Sequence, residues 1–317
     1  MWRFIALRFL QAIPSMLGVS IIGFLLVHMV PGGPAQAMLG ARATAQKIAE
    51  VDRMYGLNKP LVVQYVVWMG QILRGNLGES YFYNRSVWSL VHQALPNTLA
   101  IVGIGVILAE AIAIGLGTLQ AYYRRTWFDY LATTVSYILY AMPTFWLAVI
   151  VILVLSVGLN WFPAGGLNNP LTPNPGIGSW VAHTTLPVLT ITLGTVAGWS
   201  LYMRAAMQET LVQDFIRTAR AKGLTHRTVV VRHALRNSLL PLISLFGLSV
   251  PGLFTGALYV EVVFNYPGMG YLFWNAAVQR DYPVILAVVM LTGVLTILGN
   301  LLADVLYSVA DPRIKYG

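Results

Sequence analysis

Residues 214–241 read DFIRTARAKGLTHRTVVVRHALRNSLLP, a basic island in an otherwise apolar chain. Seven Lys and Arg fall between Met203 and Asn237, although only 10% of the 317 residues are charged. Local chemistry predicts two short helices. Asp214 is placed to cap the first, its carboxylate accepting the free N–H groups of the opening turn. Arg220 and Lys222 complement the negative helix end, and Gly223 supplies a left-handed residue after it. Thr225 can cap a second helix carrying Val229, Val230, Val231, Ala234 and Leu235 up to Pro241. Thr218, Ala219 and Ala221 are small enough to let another backbone approach, with Arg217 and Arg220 at the rim. Taken alone, these residues fit two readings: a solvated basic loop, or a helix pair gripped by another protein.

The rest of the chain settles the fold class. A mean hydropathy of +0.68 and 57% hydrophobic residues exclude an ordinary soluble domain. The net charge of +9 follows more economically from basic cytoplasmic loops than from nucleic-acid binding. With no cysteine there is no disulfide framework, thiolate metal site or thiol nucleophile.

Six stretches are long enough to cross a bilayer: Phe9 to Val30, Thr98 to Ala121, Leu131 to Leu159, Thr184 to Met203, Leu239 to Val263 and Pro283 to Val309. The N-terminal apolar run exceeds a signal-peptide core of about 7–15 residues, so a retained first span is expected despite the Ala35-Gln36-Ala37 triplet. Pro60 to Leu73 is apolar almost all round but reaches only about 21 Å against a core of about 30 Å. Lys59 and Arg74 bracket it, Pro60 can open it and Gly75 close it, so a helix outside the membrane is expected, interfacial or packed among loops. Thirteen of the 20 basic residues then lie on one side with both termini, which predicts cytoplasmic ends and a cytoplasmic 204–238 segment. The domain reading is 1–30 tail and first span, 31–97 extracytoplasmic segment with a short non-spanning helix, and 98–317 core of five spans.

At this point the chain resembles a known family. RTARAKGL (217–224) followed by RHALRNSLLP (232–241) is similar to the EAA-type loop of ABC importer permeases of the dipeptide/oligopeptide/nickel group. Arg217 and Thr218 stand where the broad family has Glu and Ala, and Arg236 where it often has Pro, which narrows the subfamily. LVHMVPGGP (26–34) resembles VHxxPGDP, with Gly33 for the acid. YGLNKPLVVQYVVW (55–68) and RGNLGES (74–80) resemble LGLDxPxxxQYxxW and GDLGxS, with Asn58 and Asn76 replacing acids. PTFW (143–146), EVVFNYPGMGYL (261–272) and RDYPV (280–284) resemble further family blocks, so the likeness covers essentially the whole chain.

The resemblance implies an all-α, type I ABC importer permease, the B-type subunit, multi-pass in the cytoplasmic (inner) membrane of a prokaryote. It would form half of the pathway for di- or oligopeptides; nickel chelates, glutathione and oligosaccharides share the mechanism. Implied partners are a second homologous permease, two ATP-binding subunits, a substrate-binding protein at the outer face and membrane lipid, without nucleic acid. ATP and Mg belong to the partner subunits. The sequence agrees: no GxxxxGK[S/T] loop is present to cradle phosphates, and HExxH and GxSxG are absent. The five His are scattered without ligand spacing, so no catalytic chemistry and no metal site are read. Coupling to the ATPase is expected at Asp214, Phe215, Arg217, Thr218, Ala219, Arg220, Ala221, Lys222, Gly223 and Leu224.

Further residues carry structural expectations. Pro143 can kink the third span. Glu261, Pro267, Gly268, Gly270, Arg280 and Asp281 are read as supports of an outer gate, with Glu261 and Arg280 able to pair. Glu110, inside the second span, fits either a structural hydrogen-bonded acid or proton coupling. With Asp304, it would serve the rival reading, an ion-coupled secondary transporter or channel. Asn300 and Asp304 fit helix bridging. Trp2, Trp127, Trp161, Trp180 and Trp274 fit interfacial anchors.

Overall fold

Apolar runs without interior breakers propagate as helices, because a backbone in lipid must satisfy its own hydrogen bonds. The computed structural model follows this rule and describes residues 2–29, 32–40, 43–168, 176–239, 242 and 257–310, with the side chains of 2–9 and 303–310 outside the description. Among the described residues helices are joined by turns and loops, and the extended pairing is one isolated antiparallel bridge between Glu79 and Ser86. They divide into two units, one drawn from 1–97 and 267–298, the other from 98–266 and 299–317.

The first unit begins with α1 (Trp2–Met29), then the short α2 (Gly33–Leu39) and α3 (Ala45–Tyr55). Thr44 caps α3 by accepting from the Lys47 N–H, and Gly56 closes it in the left-handed region at φ 67°. The apolar α4 (Leu61–Leu73) starts directly after Pro60, with Gly75 at φ 78° beyond its end. It packs on α1 through Ser20 and Tyr65, whose hydroxyls are 2.7 Å apart, and through Phe24, which meets the Tyr65 and Trp68 rings at 5.5 and 5.6 Å. The first eleven residues of α5 (Val87–Tyr122) build a core with two later helices, α11 (Met269–Gln279) and α12 (Tyr282–Ala310). Val87, Leu90, Val91 and Ala94 make that face, at helical spacing. This explains why α5 starts well before the expected Thr98: its first turns are amphipathic, and Trp88 and His92 on the other side are exposed.

In the second unit, α5 crosses α8 (Ile177–Thr210) at very close range. A Cβ on Gly117 would lie 2.6 Å from Met203 Cβ and 2.7 Å from the Ser200 carbonyl oxygen, so no larger residue fits. Thr190 and Thr192 on α8 bury their hydroxyls by donating to the Leu186 and Val188 carbonyls one turn back. Thr192 also reaches the Gly105 carbonyl on α5 at 3.1 Å.

The third expected span is not one helix. α6 (Trp127–Ala141) and α7 (Thr144–Val151, continued by a π-helical turn Ile152–Gly158) meet at 109°. Met142 is pushed to ψ 126° by the proline after it, and Pro143 itself sits at ψ 136°. Two consecutive extended residues make a break where the sequence suggests a kink.

Among the described residues, four helices are long and apolar enough to span a membrane, and the bent pair makes a fifth if counted as one. The fifth expected span, Leu239 to Val263, lies largely outside the described residues, as do Pro241 and the side chain of Asp304.

Candidate coupling interface

The basic island folds as α9 (Asp214–Ala221) and α10 (His226–Thr228), the latter running on through a π-helical stretch Val229–Ala234. Gln213, not Asp214, occupies the cap position, and its side chain makes no capping bond. Asp214 is instead the first helical residue, and its carboxylate accepts from Arg217 Nη1 at 3.2 Å. The acid still opposes the helix dipole, one position later than expected.

The other end of α9 follows the sequence closely. Gly223 stands at φ 76°, its N–H donating to the Arg220 carbonyl at 3.0 Å, while the Leu224 N–H donates to Ala219 at 3.4 Å. Together these two bonds form a Schellman closure, which terminates α9 and turns the chain sharply. Thr225 then caps α10, accepting from the Thr228 N–H at 3.4 Å. The turn between the helices is thus held by backbone and hydroxyl bonds.

One expectation about the faces is corrected. Ala219 does not offer itself to a partner: it is 5% exposed, beside the fully buried Ile216. These two residues form the inward stripe of α9 and pack with Val229, Val230 and Ala234 of the π-helical stretch after α10 and with Met203 and Met207 of α8. Burying Ile216 alone contributes roughly 1.5–3 kcal/mol. The exposed face instead carries Phe215, Thr218, Ala221 and Leu224, flanked by Arg217, Arg220 and Lys222. Ser238 Oγ donates to Thr210 Oγ1 at 2.9 Å, and the His226 ring lies 4.8 Å from Tyr122 at the end of α5. The helix pair is therefore fastened to the ends of α5 and α8.

On α8, ahead of this site, Arg204 makes an ion pair with Asp129 of α6 that sequence reasoning missed. Arg204 Nε and Nη2 hold the two Asp129 oxygens at 2.7 and 3.0 Å, and the carboxylate is almost fully buried. The Arg125 N–H donates to the same group at 3.0 Å and Thr133 at 3.3 Å. Such a forked pair fixes α6 against α8 geometrically. An acid and a base near the ends of apolar helices were the available signal, but 75 residues separate them.

The gate-support residues fall in both units. In the first, the buried Asp281 carboxylate accepts from the Ser80 hydroxyl, the Tyr81 N–H at 3.1 Å and the Phe82 N–H at 3.3 Å. It pins the 80–82 turn to the start of α12. Burial, with Asp281 close by, pushes the Tyr81 phenol well above its ordinary range, so it stays neutral. The Pro267 carbonyl accepts from Asn97 Nδ2 at 2.8 Å, Gly268 precedes α11, Gly270 lies in its first turn, and Arg280 ends it at φ 57°. In the second unit, Glu261 is fully buried and accepts from the Thr98 hydroxyl at 2.6 Å. Gly166 donates to the Phe264 carbonyl at 2.8 Å, drawing the 160–168 loop onto the same segment. Glu110 is half-buried, and Trp127, Trp161 and Trp274 are exposed. Among the described residues no group of three or more His, Cys, Asp or Glu could hold a metal ion.

Two family models cover most of this sequence: binding-protein-dependent transport system inner membrane component, over residues 113–316, and the N-terminal component of such systems, over residues 1–102. The chain belongs to this family. It is 41% identical to the oligopeptide transport system permease protein AppB of Bacillus subtilis across the full length of both chains. It is 36% identical to the oligopeptide permease OppB of Haemophilus influenzae, also over all of both. The di/tripeptide permease DppB of Pseudomonas aeruginosa shares 38% identity over 100% of this chain and 99% of its own. In fold, 69% of the chain superposes on 97% of a chain from the inward-facing MetNI methionine ABC transporter, with a TM-score of 0.54 and 16% identity. The resemblance read from the family blocks is thereby borne out.

Proposed function

We propose that this chain is the B-type permease subunit of an ATP-driven importer of di- and oligopeptides, and that the α9–α10 pair is where the ATPase grips it. The observation that carries the coupling site is its division into two faces. An inner face buries Ile216, Ala219, Val229 and Val230 in the chain's own core, while an outer face leaves Phe215, Thr218, Ala221 and Leu224 open among cations. An exposed helix surface that combines the apolar Phe215 and Leu224 with the small Thr218 and Ala221 inside a basic rim fits a groove on a partner protein. The full-length identity to relatives named as oligopeptide and di/tripeptide permeases supports the peptide cargo.

In this reading the chain sits in the cytoplasmic membrane with both termini inside, and 31–97 on the outer side. A second permease completes the pathway, two ATP-binding subunits drive it with ATP and Mg, and a binding protein delivers cargo. Closure of the ATP-binding subunits pushes α9, and the fastening at Ser238, Tyr122 and Arg204 carries that push into α8, α5 and α6. Nucleotide then shifts the balance of inward- and outward-open states by its differential affinity for them. The Asp281 anchor and the segment from Pro267 to Gly270 hold outer structure while the spans tilt. This chain contributes coupling and a pathway, with no bond-making chemistry of its own.

The test is charge reversal at the rim, Arg217→Glu with Arg220→Glu, in the intact importer. Peptide uptake should fall to background while the variant remains in the membrane at normal level. Uptake at the normal rate would overturn the assignment of α9.

A further inference from the structure

α4 is the helix to which the proposed function gives no task. Its exposed positions include Leu61, Val62, Val63, Val66, Val67 and Leu73, with Gln71 the sole polar residue exposed between Leu61 and Leu73. A continuous apolar face of this kind marks contact with something other than water. Either another protein or lipid covers it, and depth separates the two.

The depth can be read along α1, whose spanning window is Leu10–Met29. α4 meets α1 at His28, where the ring Nε2 is 3.1 Å from Gln64 Oε1, at Phe24 through two aromatic contacts, and at Ser20 through Tyr65. Phe24 lies five residues inside the end of the window, and Ser20 nine. At 1.5 Å per residue these are depths of about 7.5 and 13.5 Å. Helices lying in the membrane plane sink about 5–10 Å into the boundary between headgroups and acyl chains. A helix wholly outside the membrane would meet α1 only at its end.

The flanks agree. Lys59 and Arg74, both exposed, stand immediately before and after the apolar stretch. Long cationic side chains there can reach up to phosphate while their stems stay in apolar surroundings.

We propose that α4 is an in-plane membrane helix, sunk below the headgroups, with its outward face against phospholipid acyl chains and Lys59 and Arg74 toward headgroup phosphates. The proposal rests on reading α1 as a membrane span. Of the two expectations for this non-spanning helix, interfacial or packed among loops, it takes the first and sets it deeper than the outer surface.

The cysteine-free sequence makes the test direct. Single substitutions Val62→Cys and Val66→Cys, each carrying a nitroxide, are measured in the intact importer in phospholipid nanodiscs, with Ile107→Cys on the exposed side of α5 as a mid-span control. Power-saturation EPR should show mobile labels with several-fold greater collision with oxygen than with a water-soluble nickel chelate, at both sites. Dominant collision with the nickel chelate at Val62 and Val66, with a lipid-exposed control, would overturn the proposal and leave the membrane reading intact. Immobile labels reached by neither reagent would overturn it in favour of a protein partner. A water-exposed control would overturn the membrane reading, and the proposal with it.

Discussion

Asp129 and Arg204 set the clearest energetic demand on single residues in this chain. A carboxylate taken out of water is stable only with its full set of donors, and Asp129 has the guanidinium fork, the Arg125 N–H and the Thr133 hydroxyl. Replacing it by alanine leaves Arg204 partly buried without its counter-ion. We expect Asp129→Ala to cost about 3 kcal/mol, read as a lowered melting temperature of the detergent-solubilised chain. Gly223 makes a smaller, conformational demand. At φ 76° a β-branched side chain is strained, so Gly223→Val should cost roughly 1–2 kcal/mol, and Gly223→Asn much less. Thermal unfolding of the two variants side by side checks the ranking. Gly117, by contrast, is held by space: Gly117→Leu would drive α5 away from Met203 and Ser200 on α8.

At the scale of elements, α9 has two faces with opposite tolerances. Ala219→Trp forces a large ring into the packed contact with Met203, Met207 and Val229, so it should reduce the amount of folded protein in the membrane. Ala221→Trp points the same ring outward. It should leave folding intact and prevent the ATP-binding subunit from co-purifying. Comparing membrane yield with co-purification separates the two effects. The sequence made the ends of these helices legible, because Gly223 and Thr225 act through bonds to residues three or four positions away. It did not show which small residue faces inward. Ala219 and Ala221 are equivalent in composition, and only the packing of α8 behind them distinguishes the two. The same limit applies to Pro143. A proline announces a disturbance, but the 109° turn arises because Met142 and Pro143 are both extended. Asp129 and Arg204 were visible as charges and unreadable as a pair, since their meeting depends on how α6 lies on α8.

At the scale of the whole molecule, apolar length alone made the membrane class legible, and motif order carried the family. Span boundaries were less readable, because α5 and α8 extend well past their uniformly apolar centres as amphipathic helices. α4 shows the reverse problem: its composition excludes neither water-side packing nor insertion, and its contacts with α1 supply the missing depth. In the proposed function, ATP hydrolysis on a partner reaches the pathway through the outward face of α9. The most direct measurement is ATP-driven uptake of a labelled oligopeptide into proteoliposomes holding the complete importer and its binding protein, comparing the native chain with Arg217→Glu/Arg220→Glu. Uptake by the native assembly should stop when ATP is withheld or vanadate is added, and the variant should show only background uptake. Equal ATP-driven uptake by both, or uptake by this chain alone driven by an ion gradient, would contradict the proposed function.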